Sequence, residues 1–105
     1  MTYQVRLAPE AENDLKLIYS GLLERGASLV IARGYVNRIL AFVGKLDVFP
    51  KRGSLRSEIR DGLRIIGFER RASIAFVVED EAREVVVLRV LYGGQQLRFR
   101  EGEAA

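Results

Sequence analysis

Apolar and polar residues alternate singly at the start of the chain, then take up a three-four spacing, then return to alternation. Tyr3, Val5 and Leu7 interleave with Thr2, Gln4 and Arg6, the period of a short strand. Pro9 follows as a favourable first helical residue, and Glu10, Glu12 and Asp14 put negative charge at the positive end of the helix dipole. Ala11, Leu15, Ile18 and Leu22 then share one face of a helix running to about Arg25, and Gly26 stands where its end must turn left-handed. A second helix is predicted from about Ser28 to Val48, with Ala32, Tyr35, Ile39, Phe42 and Leu46 as its inward stripe. Phe49-Pro50 ends it, because proline disfavours helical geometry in the residue before it. The link between the helices is so short that they must form an antiparallel hairpin.

After a basic loop come three strand runs, Leu63 to Phe68, Ala72 to Glu79 and Glu84 to Tyr92, and the turn Asp80 to Arg83 folds the middle one back on the last. Val85 to Val90 is apolar on both faces apart from Arg89, which marks a central strand covered on one side by the helices. The order β-α-α-β-β-β predicts an α+β fold, a helical hairpin packed on one face of a twisted, mostly antiparallel sheet. At 105 residues there is room for one domain, spanning 1–100, with 101–105 as a frayed tail. The hydrophobic fraction of 49% is that of a globular rather than a disordered chain.

Charge and composition narrow the chemistry. The net charge of +3 is uneven, since residues 51–71 hold seven basic side chains against three acidic ones. A local patch of this kind favours a polyanion or an acidic protein partner. No histidine or cysteine occurs, which removes the ordinary proton shuttle, thiolate catalysis, disulfides and cysteine zinc sites together. Glu10, Glu12 and Asp14 occupy alternate helical positions and do not share a face, so they read as dipole complements and not as a metal cluster. No cofactor is expected. No apolar run approaches the ~20 residues that span a bilayer, and no charged signal-peptide head precedes the opening strand. The expected location is cytoplasmic, away from membranes.

The candidate chemistry is carried by arginines. Arg64 and Arg89 project from runs of apolar neighbours and are expected in the concave face of the sheet. A guanidinium fork there pairs with a phosphate or carboxylate in two-point geometry; alternatively each is salt-bridged to Glu58, Asp61, Glu69 or Glu84. A charge at Arg89, inside a buried strand, is costly unless paired. Arg70-Arg71 is either a solvated turn pair or a partner contact, and Lys51-Arg52-Gly53 either an ordinary surface turn or a phosphate-facing loop. Tyr92, before Gly93-Gly94, either presents its ring to a base or peptide or caps the core. Leu23, Leu29, Ile31 and Leu40 fall off the inward stripes, and about half of them are expected to be buried within the hairpin.

Ala8-Pro9-Glu10-Ala11, Phe49-Pro50, Gly62-Leu63-Arg64, Arg70-Arg71, Ile74-Ala75-Phe76 and Leu91-Tyr92-Gly93-Gly94 follow one another over nearly the whole chain. In that order and spacing they resemble the ParE branch of the RelE/ParE superfamily, the toxin halves of bacterial toxin–antitoxin pairs. The resemblance implies a toxin held inactive by a cognate ParD-like antitoxin. The antitoxin's C-terminal helix and strand would lie across the hairpin and an open sheet edge, covering Leu23, Leu29, Ile31 and Leu40. Its N-terminal part would dimerise, giving a heterotetramer, and would alone meet operator DNA.

The two branches of the superfamily differ in target. RelE-type members cleave messenger RNA in the ribosomal A site, with lysines and arginines on the sheet and a basic, tyrosine-bearing C-terminus. ParE-type members inhibit DNA gyrase. Arg64 matches an arginine common to both, but Gln95 and Gln96 stand where the nuclease branch carries its basic run. Neither glutamine transfers a proton or stabilises a developing phosphorane charge as arginine does. The resemblance therefore favours a non-enzymatic gyrase inhibitor with Arg64, Arg89, Tyr92 and Arg98 facing the target. A ribosome-dependent nuclease would instead rest on Arg64, Arg71, Arg89 and Tyr92.

Overall fold

The computed structural model describes residues 2–93. Strand β1 (Gln4–Leu7) leads into helix α1 (Pro9–Glu24) and helix α2 (Leu29–Gly44), which a 3-10 turn (Lys45–Asp47) continues. Strands β2 (Ser54–Leu55), β3 (Arg64–Phe68), β4 (Ala72–Glu79) and β5 (Glu84–Tyr92) complete a five-stranded sheet in the order β1-β5-β4-β3-β2. Only β1 and β5 run parallel; the remaining pairs are antiparallel. The α+β architecture and the three long strands are as predicted. Arg98 and the 101–105 tail lie outside the described residues.

The helix ends follow from local chemistry. Ala8 is extended, Pro9 opens α1, and Gly26 beyond its end takes φ +97. The Ser28 side chain accepts the Ile31 N–H at 3.1 Å and caps α2. The second helix is shorter than predicted, and Val48 is extended. The Arg52 guanidinium donates to the carbonyls of Lys45, Val48 and Phe49 at 3.2, 2.7 and 2.8 Å, satisfying acceptors that a longer helix would have used internally. Strand β2 was not visible in the hydropathy pattern, because both its residues are exposed. What brings it against β3 is Gly53 (φ +75), where a Cβ would stand 2.4 Å from the Ile65 carbonyl oxygen.

The core lies between the hairpin and one face of the sheet. Ala11, Leu15 and Ile18 from α1, Ile39 and Val43 from α2, and Leu46 pack on Ile74, Phe76, Val85, Val87 and Val90. Residues opposite each other in a ladder share a face. Phe76 pairs with Arg64 and Ile74 with Ile66, so Arg64 lies on the helix-covered face, half-buried. The β4–β5 ladder slips between Ala75, paired with Arg89, and Phe76, paired with Val87, so Leu88 is the extra residue of a bulge. Among the described residues no helix is long and apolar enough to cross a membrane.

Candidate functional site

Asp14 is the one buried charged residue among those described, and it explains Arg89. Its carboxylate accepts Arg89 Nε at 2.7 Å and a terminal guanidinium nitrogen at 2.9 Å, a two-point pair between α1 and β5. It also accepts the Val90 N–H at 2.8 Å. Strand β1 stops pairing at Ala8, whose N–H reaches the Val87 carbonyl, so Asp14 does for Val90 what a neighbouring strand would have done. The partner of Arg89 is therefore none of Glu58, Asp61, Glu69 or Glu84, and Asp14 is more than a dipole complement. The sequence held the signal: Asp14 sits three residues after Ala11 and four before Ile18, on the buried stripe, and Arg89 is the sole charge inside the most apolar strand.

At the far end of β5 an aromatic cluster joins the sheet to α2. The Tyr35 ring lies 6.1 Å from Phe68 and 5.7 Å from Tyr92, and Phe42 lies 5.1 Å from Phe68. Guanidinium groups cover its ends, Arg25 at 5.5 Å over Tyr92 and Arg38 at 5.4 Å over Tyr35. Arg38 also donates twice to Glu69 in the β3–β4 turn, at 2.9 and 3.0 Å, which holds the Glu69 carboxyl below its ordinary range. The Tyr35 hydroxyl is buried without a hydrogen-bond partner among the described residues, and burial, with Tyr92 and Glu69 nearby, raises its pKa. Tyr92 thus belongs to this cluster, beside a cavity of about 260 Å³ lined by Asp14, Leu17, Ile18, Gly21 and Arg25.

The arginine constellation suggested for a nuclease does not converge. Arg64 lies opposite Phe76, four residues along β3 from the Phe68–Ala72 pair, whereas the Arg71 carbonyl bonds the Gly93 N–H beside Tyr92 at the other end. Arg89 is held by Asp14 between them. On the face away from the helices the register places Ile65 and Gly67, Ser73, Ala75 and Val77, and on β5 Val86, Leu91 and Arg89, whose guanidinium is taken up by Asp14. Arg6, opposite Val86, is ion-paired to Glu84 at 3.0 Å. The basic segment is partly tied down too, with Lys51 paired to Asp80 at 2.8 Å and Arg52 on the carbonyls.

The outside of the hairpin is different. Leu29, Ile31 and Leu40 are 58%, 63% and 40% exposed and Leu23 is half-buried, so none of the four is buried, against the expectation of about half. Leu40 lines a groove of about 520 Å³ between α1 and α2, whose apolar floor is Leu7, Leu15, Tyr19 and Val36 and whose rim is Glu12, Lys16, Arg33 and Asn37. Among the described residues no group of three acidic side chains gathers to hold a metal ion.

Comparison with known proteins bears on what this arrangement serves. The model of a family described as the ParE toxin of type II toxin–antitoxin systems, parDE, matches residues 5–97. No curated protein matches the chain. Among solved structures, a chain of the chromosomal ParDE toxin–antitoxin system from P. aeruginosa superposes with a TM-score of 0.73 at 24% identity, covering 87% of this chain and 96% of that one. A chain of the RelBE2 toxin–antitoxin complex from Mycobacterium tuberculosis gives 0.64 at 22% identity, covering 90% and 95%. A metal-bound toxin from Helicobacter pylori gives 0.55 at 12%, covering 86% and 93%.

Proposed function

The chain belongs to the ParE toxin family of type II toxin–antitoxin systems, and from that premise we propose that it inhibits DNA gyrase and is neutralised by a ParD-like antitoxin. The observation that carries the antitoxin half is the open groove between α1 and α2. An apolar floor of Leu7, Leu15, Tyr19, Val36 and Leu40 between rims bearing Glu12 on one side and Arg33 on the other suits one face of an amphipathic helix. Leu40 is the member of the predicted antitoxin set that lines it. Leu29 and Ile31 stand at the start of α2, where a longer partner helix would cover them.

For the target, what supports gyrase over message is the placement of the cations. Cleaving RNA without histidine needs several guanidinium groups aimed at one phosphate. Here Arg64, Arg71 and Arg89 lie apart, and Arg89 already neutralises Asp14. A non-enzymatic grip on a protein target has no such requirement, and Arg64, Tyr92 and Arg98 are the contacts we assign to it. Gyrase also places the toxin in the cytoplasm, with no cofactor, and with operator DNA met only through the antitoxin dimer of a heterotetramer.

The test is to titrate antitoxin-free protein into gyrase supercoiling and cleavage-complex reactions, in parallel with coupled translation of one message. Supercoiling should fall while translation continues. Cut message with normal gyrase would replace the target and make Arg64, Arg71, Arg89 and Tyr92 the residues to mutate.

A further inference from the structure

Phe49 is the strangest residue of the chain by its surroundings. Its side chain is 82% exposed, and its backbone takes φ +51, a conformation that bulky side chains seldom adopt. Nothing about this placement is loose. Arg52 holds the carbonyls of Val48 and Phe49, and Pro50 behind it is buried. The backbone that carries the ring is thus held in place, which lowers the main-chain ordering cost for whatever meets it. Beside it opens a cavity of about 410 Å³ whose other walls are Tyr3, Val48, Pro50 and Lys51. Tyr3 and Lys51 are themselves fixed, both bonded to Asp80 at 2.8 Å.

We propose that this pocket anchors the end of the antitoxin segment, receiving an apolar side chain flanked by a carboxylate. The inference rests on the antitoxin reading of the α1–α2 groove and extends it. Leu7 is a wall of that groove and Tyr3 a wall of this pocket, and strand β1 connects the two. β1 is the terminal strand of the sheet. The N–H groups of Gln4 and Ala8 point to β5, so by alternation those of Val5 and Leu7 face outward, and among the described residues no strand pairs with them there. The Tyr3 N–H takes the Asp47 carbonyl at 2.8 Å and closes the edge at its lower end. From Leu7 to Tyr3 is roughly 13 Å of strand. A helix leaving the groove and continued by about four extended residues, antiparallel to β1, therefore arrives at Phe49. The carboxylate is called for by the rim, where two cations, the half-exposed Lys51 ammonium and Arg83, which stacks 5.9 Å over the Tyr3 ring, stand against the single Asp80 carboxylate that pairs with Lys51.

The test uses the full chain and its cognate antitoxin, with dissociation followed at a surface and amide exchange compared between free and bound toxin. Phe49→Ala should speed dissociation at least tenfold, Phe49→Gly should do the same while relieving the backbone, and the Val5 and Leu7 amides should exchange more slowly in the complex. Leu40→Asp should abolish binding through the groove. If Leu40→Asp abolishes binding while both Phe49 variants dissociate like the parent and Val5 and Leu7 gain no protection, the anchor is wrong and the groove stands. If Leu40→Asp also binds like the parent, the groove reading itself falls. If the Phe49 variants hold antitoxin normally but no longer inhibit gyrase, the pocket belongs to the target and the proposal is overturned.

Discussion

At the scale of single residues, the Asp14–Arg89 pair is where position along the chain and role in the fold are furthest apart. Asp14 counts as one of three acids at a helix start, yet it is buried and carries two partners on β5. Asp14→Ala removes the two-point pair from Arg89 and leaves the Val90 amide without its acceptor, and should cost about 3 kcal/mol, less than a fully buried pair because Arg89 keeps some solvent. In a domain of this size that lowers the melting temperature by very roughly 10–20 °C. Adding Arg89→Met should recover part of the loss, which a double-mutant cycle by denaturant titration would read. Tyr35 offers the opposite sign. Its hydroxyl is buried without a partner among the described residues, so Tyr35→Phe should be neutral or stabilising by up to about 1 kcal/mol. A marked loss of stability in the same titration would mean that the hydroxyl is satisfied by water. The orphan hydroxyl left no trace in the sequence, where Tyr35 is simply a member of an apolar stripe.

At the scale of elements, periodicity identified α1, α2 and the three long strands because each buries one face against a single core. It failed where backbone contacts and not hydropathy decide, at β2 and at the end of α2. Gly53 permits the first, and Arg52 reaching back to three carbonyls accomplishes the second. Two carboxylates tie elements together at the surface, Glu69 under hydrogen bonds from Arg38, and Asp80 under those from Lys51 and Tyr3, and both titrate below their ordinary values. A carboxyl with a lower pKa folded than unfolded binds fewer protons in the native state, so its stabilisation is complete above the ordinary range near about pH 4 and is lost as pH falls through the depressed values. Melting temperature should therefore drop between about pH 4 and pH 2, and Glu69→Gln should reduce that drop. Both pairs are exposed, so the effect should be small and should shrink further in high salt.

At the scale of the whole molecule, the hairpin-on-sheet arrangement was legible, whereas the placement of β1 beside β5 was not. A parallel partner separated by the entire chain leaves no mark in local pattern. Nor did the run of basic residues from Lys51 to Arg71 announce how much of it is engaged internally, since Asp80 lies outside it and the three main-chain carbonyls are invisible in side-chain identity. What does follow at this scale is linkage. A partner that binds only the folded toxin should raise stability by about 2.7 kcal/mol at a hundredfold excess over its dissociation constant. Calorimetry with antitoxin should therefore show a melting temperature higher by roughly 10 °C or more; an unchanged transition would argue against a partner that needs the native fold.

The Asp14 carboxylate on the Val90 amide has one more consequence, for how the free toxin behaves in company. Among the described residues no strand lies beside the outer side of β5 beyond Ala8, and an apolar strand with such an open side is a template for pairing with other copies. A charged group planted on that side, with a helix standing over it, occupies the donor that an intruding chain would need. The same residue that fastens α1 to the sheet is thereby a guard against fibre-like stacking. Colloidal behaviour, and not only melting, is what its loss would change.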